Sequence, residues 1–174
     1  QLAEEMFVSR ATIDRMMREL KQEAEAYGLQ ILQRPKYGIR IEGPETKKRS
    51  LYLSHGGGKE EKPDAQLALE VQGILLEVLE TSGIRFDDIN FYNLVFHCVI
   101  AIRRIREGNY VEDPGEWKGG EDCEREEKAA REMVRRFEER FAVRFPSGEI
   151  QYIVMYLLGK RVVESNCYIS GECW

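Results

Sequence analysis

The sequence predicts a mainly α-helical protein in two parts: a short helical unit carrying a β-hairpin, then a bundle of four helices. Three observations predict it. Apolar residues recur at spacings of three and four over much of the chain, which is the period of a helix with one buried face. Between Leu29 and Ile41 the period changes to two, which marks a pair of strands. Finally, His55 to Asp64 reads HGGGKEEKPD, the glycine-rich and charged composition of a flexible connector. The expected boundaries are 1–54 for the first unit, 55–64 for the linker and 65–174 for the bundle.

Composition narrows the classes. The chain has 174 residues, 43% hydrophobic and 33% charged, which suits a packed core and excludes disorder throughout. No apolar run reaches the ~18 residues of a membrane span, and no secretion signal opens the chain. Cys98, Cys123, Cys167 and Cys173 form no Cys-x-x-Cys pair, and His55 and His97 lack ligand spacing, so no zinc site is expected. A reduced, cytoplasmic protein without a cofactor or a membrane partner is expected. The chain begins with Gln1, so a piece of a longer protein is expected. Residues 1–55 carry 10 Lys and Arg against 8 Asp and Glu, and residues 56–174 carry 16 against 23. A mildly basic module on an acidic body suits a small nucleic-acid reader attached to a part with another task.

The first unit opens with Leu2, Ala3 and Met6 as an apolar stripe, interrupted at Phe7-Val8-Ser9. Ser9 is the expected N-cap of a second helix, about 10–27. Ile13, Met16, Met17, Leu20 and Ala24 are its expected buried face, and Gly28 its stop. Strands follow around Leu29–Arg34 and Gly38–Ile41, joined by the turn Pro35-Lys36-Tyr37-Gly38. Gly43-Pro44 ends the hairpin, and 45–54 is a short basic helix with Lys47, Lys48 and Arg49.

Helix, turn, helix, hairpin is the order of a winged helix-turn-helix, here partial, with the hairpin as wing. The second helix of such a motif enters the major groove of double-stranded DNA, and its N-terminal residues reach base edges. The candidates are Ser9, Arg10, Thr12 and Ile13, with Arg15 and Arg18 one turn on. Arg34, Lys36 and Arg40 charge the wing, as contacts to phosphates require. The helix that usually precedes this pair is missing, which points to truncation at the N-terminus.

The bundle reads as helices over about 65–81, 87–107, 122–141 and 147–164. Expected caps are Asp64, Asp87 or Asp88, and Ser147. The second of these is apolar nearly all round, from Leu94 through Phe96 to Ile105, as a central helix is. Its polar residues Asn90, Asn93, His97 and Arg104 share one face, and so do Glu149, Tyr152, Tyr156 and Lys160 on the last helix. Half-buried polar groups cost about 1–3 kcal/mol each unless paired. His97 is therefore either a satisfied structural histidine or a working one.

Two stretches resemble a known family. Asn93-Leu94-Val95-Phe96-His97-Cys98-Val99-Ile100-Ala101-Ile102-Arg103-Arg104-Ile105 and Phe141-Ala142-Val143-Arg144-Phe145-Pro146-Ser147-Gly148-Glu149-Ile150 resemble the two signatures of the PTS regulation domain of bacterial sugar-responsive regulators. Val8-Ser9-Arg10-Ala11-Thr12-Ile13-Asp14-Arg15 and Tyr37-Gly38-Ile39-Arg40-Ile41-Glu42-Gly43 resemble the Mga-like winged helix of its activator branch. The resemblance implies a helical bundle, no enzymatic activity, pairing as a homodimer, and histidines phosphorylated by phosphocarriers of the sugar phosphotransferase system. It places His97 on the first phosphorylated position and Tyr156 on the second, with Asn93, Arg104 and Tyr156 around His97. A phenol does not replace imidazole in such a relay, so His97 is the expected acceptor. Other readings stay open: a phosphocarrier intermediate, an RNA-binding antiterminator, and a dimerisation module whose histidine no longer signals.

Overall fold

Ser9 takes extended backbone, and its side chain accepts from Thr12 N at 3.1 Å, which starts helix α1 (Arg10–Ala26). Just before it, Phe7 sits at φ 54; that left-handed backbone cannot continue a helix. This is a computed structural model, and it describes residues 6–34, 38–54, 65–113, 115 and 123–160. The expected first helix, the turn at 35–37, Asp64 and residues beyond 160 lie outside them. The chain divides into two units, Gln1–Lys62 and Pro63–Trp174.

In the first unit α1 closes on a backbone lock. Leu29 N donates to Ala24 O at 2.8 Å and Gly28 N to Glu25 O at 2.9 Å. Gly28 stands at φ +71, where a side chain is costly. The lock drops Leu29 onto Ala24, and these two with Leu51 are the unit's buried core. Strands β1 (Gln30–Arg34) and β2 (Gly38–Glu42) pair antiparallel, Ile31 opposite Ile41, and both isoleucines pack on that core. Helix α2 (Glu45–Ser54) contributes Leu51. Two expectations need correction. Met16 is 41% exposed, because 100° per residue carries it off the stripe centred on Met17 and Ala24. Arg49 is no surface cation: it is buried, and its Nε donates to Glu45 Oε1 at 3.2 Å.

The second unit has four helices, α3 (Ala65–Ser82), α4 (Asp88–Arg106), α5 (Glu124–Phe141) and α6 (Ser147–Lys160). Helix α5 packs on α3 and α6, and α4 on α3 and α6. Val71, Leu75, Ile102, Met133, Phe137 and Leu157 fill the centre. At about 1.5–3 kcal/mol for each large side chain buried, this core dominates the unit's stability. Asp87 caps α4 by accepting from Asn90 N at 2.8 Å. The middle of α4 is buried as expected, from Leu94 to Ile102, but Phe96 is exposed, as are Ile89 and Tyr92. These three lie at spacings of three and four, so α4 shows one apolar side outward instead of being surrounded.

The segment that follows α4 is pinned to the start of α6 by polar contacts. Val111 N donates to Glu149 Oε1 at 2.8 Å, and Glu149 is fully buried. Ser147 Oγ donates to Asp113 Oδ2. Ser147 is therefore the first helical residue and not the cap; the Pro146 carbonyl accepts from Glu149 N at 3.0 Å in the first turn. A Cβ on Gly148 would stand 2.4 Å from Val111 O and 2.5 Å from Glu112 O, so the loop lies directly on the helix.

Candidate functional site

The expected DNA-reading residues divide by what they touch. Ser9 and Thr12 bond each other, Oγ to Oγ1 at 2.8 Å, so both hydroxyls serve the helix start. Arg10, Arg15 and Arg18 are exposed, and Ile13 is half-buried. Ala11, Arg15 and Arg18 fall at i, i+4 and i+7, on the face of α1 opposite Met17 and Ala24. Arg18 Nε donates back to Asp14 O at 3.3 Å. On the hairpin Arg34 and Arg40 are exposed, and Arg40 lies 3.8 Å from Glu42 in a solvent-exposed ion pair, which is weak. Lys36 lies outside the described residues.

In the bundle, α4 and α6 bring three rings together. The His97 ring is half-buried, 4.8 Å from Tyr156 and 5.9 Å from Tyr152 between centroids. Tyr156 is fixed from two sides. Its hydroxyl donates to the Asn90 carbonyl at 3.1 Å, and its ring stacks on Phe86 at 6.4 Å and 11°. Burial pushes the Tyr156 phenol up to about 12, so the ionised form is about one part in 10⁵ at pH 7. Tyr156 is thus a hydrogen-bond donor here and a poor nucleophile.

The other residues expected around His97 lie on the same helix, α4. Asn93 is exposed. Arg104 Nη1 donates to Glu107 Oε2 at 2.8 Å; it lies two helical turns from His97, roughly 10 Å along the axis. Sequence reasoning placed Tyr152 on the right face but gave it no role, and it missed the Asn90 carbonyl and the clasp of Asp113, Ser147 and Glu149. A glycine in the first turn of α6, where no turn needs one, is the readable signal for that close backbone approach. Among the described residues no group of His, Cys, Asp and Glu could hold a metal ion, and no helix is long and apolar enough to cross a membrane.

A hairpin-bearing helical unit with an exposed arginine face precedes a helical bundle that holds a half-buried histidine among tyrosines. The family models match in the same order: the Mga helix-turn-helix domain over residues 1–55 and the PRD domain over residues 72–160. The chain belongs to the PRD family. It is 31% identical, over 96% of its length, to a protein named probable licABCH operon regulator from Bacillus subtilis (strain 168). It is 23% identical, over 92% of its length, to the transcriptional regulator ManR of the same organism. The chain spans 28% and 26% of the lengths of these relatives.

Proposed function

We propose that this chain is the DNA-binding and sensing part of a cytoplasmic bacterial transcriptional regulator, an activator of sugar-uptake genes. Phosphocarriers of the sugar phosphotransferase system phosphorylate His97 and so control it. The observation that carries this reading is the placement of His97. It is a half-buried imidazole at the junction of α4 and α6, within a PRD domain behind a helix-turn-helix domain. The names of the two relatives, an operon regulator and a transcriptional regulator, support it.

The physics is electrostatic. A phosphoryl group adds about −1.5 to −2 charge and three strong acceptors. Placed between two helices of an acidic bundle, it shifts their packing. If bundles pair as a homodimer, that shift alters the spacing of two reading helices, and two half-sites demand a fixed spacing. The experiment is incubation of the chain with the general phosphocarriers and phosphoenolpyruvate, read by intact mass. One acid-labile phosphate, absent in His97→Ala, is expected; no gain, with the carriers active on a control, overturns the reading.

A second reading is favoured by the outward side of α4, where Ile89, Tyr92 and Phe96 are exposed. The bundle then serves as a dimerisation module alone. Sedimentation of the chain and of Phe96→Glu, together with the phosphorylation result, separates the two.

A further inference from the structure

Resting on the acceptor role of His97, we infer that Nε2, and not Nδ1, is the atom that takes the phosphoryl group, and that Tyr156 is the positioning residue that enforces the choice. Nδ1 of His97 is closed off from solvent, while the residue as a whole is only half-buried. Of the two ring nitrogens this leaves Nε2, on the edge far from Cβ, for a donor to meet. Transfer needs the attacking lone pair in line with phosphorus and the leaving atom behind it. No donor can be lined up on Nδ1 in this geometry. A phosphoryl group there would also carry charged oxygens into the closed side of the ring, at the cost of their hydration.

Tyr156 holds the ring in this pose. Its own ring lies against the imidazole at 4.8 Å with a 56° angle between planes. Its position is set independently of His97, by the bond to the Asn90 carbonyl and the stack on Phe86. Turning the imidazole half a turn about Cβ–Cγ would exchange Nδ1 with Cδ2 and Nε2 with Cε1; Nε2 stays on the edge far from Cβ, and the Tyr156 ring beside the imidazole stands in the path of the turn. The residue at this position is thus a wall for the acceptor instead of a second acceptor.

The step balances simply. To attack, the neutral imidazole carries its proton on Nδ1, which leaves the lone pair on Nε2. That pair forms the new N–P bond, the donor's N–P bond breaks, and its electrons return to the donor nitrogen. With a phosphohistidine donor each ring keeps the proton on its other nitrogen. With phosphoramidate the leaving group is ammonia.

The test treats the whole chain with phosphoramidate, alongside a synthetic peptide covering residues 90–104. The product isomer is read early in the reaction by ¹⁵N-resolved NMR of labelled imidazole, which distinguishes the Nδ1 from the Nε2 adduct. The folded chain should favour the Nε2 adduct over the Nδ1 adduct by about tenfold or more relative to the peptide, since an adduct on a closed atom loses its solvation. Tyr156→Phe keeps the ring and should keep this preference; Tyr156→Ala should move it several-fold toward the peptide's ratio. An Nδ1 adduct at His97, told apart from His55 by the resonances that His55→Gln removes, or a His97 ratio equal to the peptide's, overturns the atom assignment, and this comparison needs no change in the bundle. Unchanged selectivity in a Tyr156→Ala chain whose circular dichroism is native overturns the role of Tyr156. A chain that takes phosphate neither from phosphoramidate nor from the phosphocarriers fails at the acceptor reading itself.

Discussion

At the scale of single residues, the decisive positions are those where backbone and side chain compete for the same space. Gly148 is the sharpest. The Val111 and Glu112 carbonyls occupy the place a Cβ would take, and backbone, unlike a flexible side chain, cannot step aside. Gly148→Ala should lower the stability of the chain by about 1–3 kcal/mol, the usual cost of overpacking, read as a shift of the denaturant midpoint without a change in slope. Gly43 in the first unit is held by its backbone instead: it lies at φ +138, while the atom 2.6 Å from a built Cβ is Leu29 Cδ2, the end of a side chain that can turn. Both glycines stand in stretches whose sequence resembles family signatures, yet periodicity alone gives neither a purpose. The partner backbone is about 36 residues away for Gly148, and distance along the chain hides it. His97 shows the opposite case. A lone histidine in an apolar helix is visible at once, but the pair of tyrosines that frames it becomes visible only when α6 is laid against α4.

Helices and strands were the most legible level, because each carries its own start and stop chemistry. Ser9 and Asp87 cap the helices expected of them, and the hairpin pairs Ile31 with Ile41, which keeps both isoleucines on one face. What the pattern could not show is how an element ends when the usual residue is missing. Helix α5 closes on Ala142 in left-handed backbone, φ 52 and ψ 45, where a Cβ costs about 1–2 kcal/mol. Ala142→Gly should therefore stabilise the bundle by about 0.5–1 kcal/mol after the added freedom of the unfolded chain is deducted; calorimetry should show a higher melting temperature. The charges of α5 form a set of ion pairs. Glu132 accepts from both Arg135 and Arg136, and these hydrogen bonds lower its carboxyl to about 2. Arg136 and Arg140 also reach across to Glu77 and Glu70 of α3. A carboxyl depressed in the folded state contributes stability that is complete above its unfolded value, near 4.5, and is lost as pH falls through about 2. Solvent screening at this partly exposed site holds the gain to about 1 kcal/mol or less. The gap in melting temperature between the chain and Glu132→Gln should be largest above pH 5 and close toward pH 2.

For the molecule as a whole, the division of charge between its parts separates two kinds of contact with DNA. The bundle and linker are acidic and the first unit slightly basic, so attraction to a polyanion comes from the first unit, from the arginines of α1 and the hairpin together with the lysines of α1 and α2. Under the proposed function those arginines do different work. Arg15 and Arg18 share the outward face of α1 with Ala11, whose small side chain lets that face approach closely. Arg34 and Arg40 project from the exposed hairpin. A residue that reads a base edge discriminates between sequences, whereas one that neutralises a phosphate binds all sequences alike and releases a counterion. Arg15→Ala should therefore cost about 1–3 kcal/mol on the operator and flatten its preference over unrelated DNA. Arg40→Ala should weaken both equally and reduce the slope of log affinity against log salt by about one. Fluorescence anisotropy with operator and scrambled duplexes across a salt series reads both quantities in one experiment. Equal losses on both duplexes for Arg15→Ala would move that residue from the bases to the backbone. An unchanged salt slope for Arg40→Ala would remove the hairpin from the interface, leaving the helix as the sole reader.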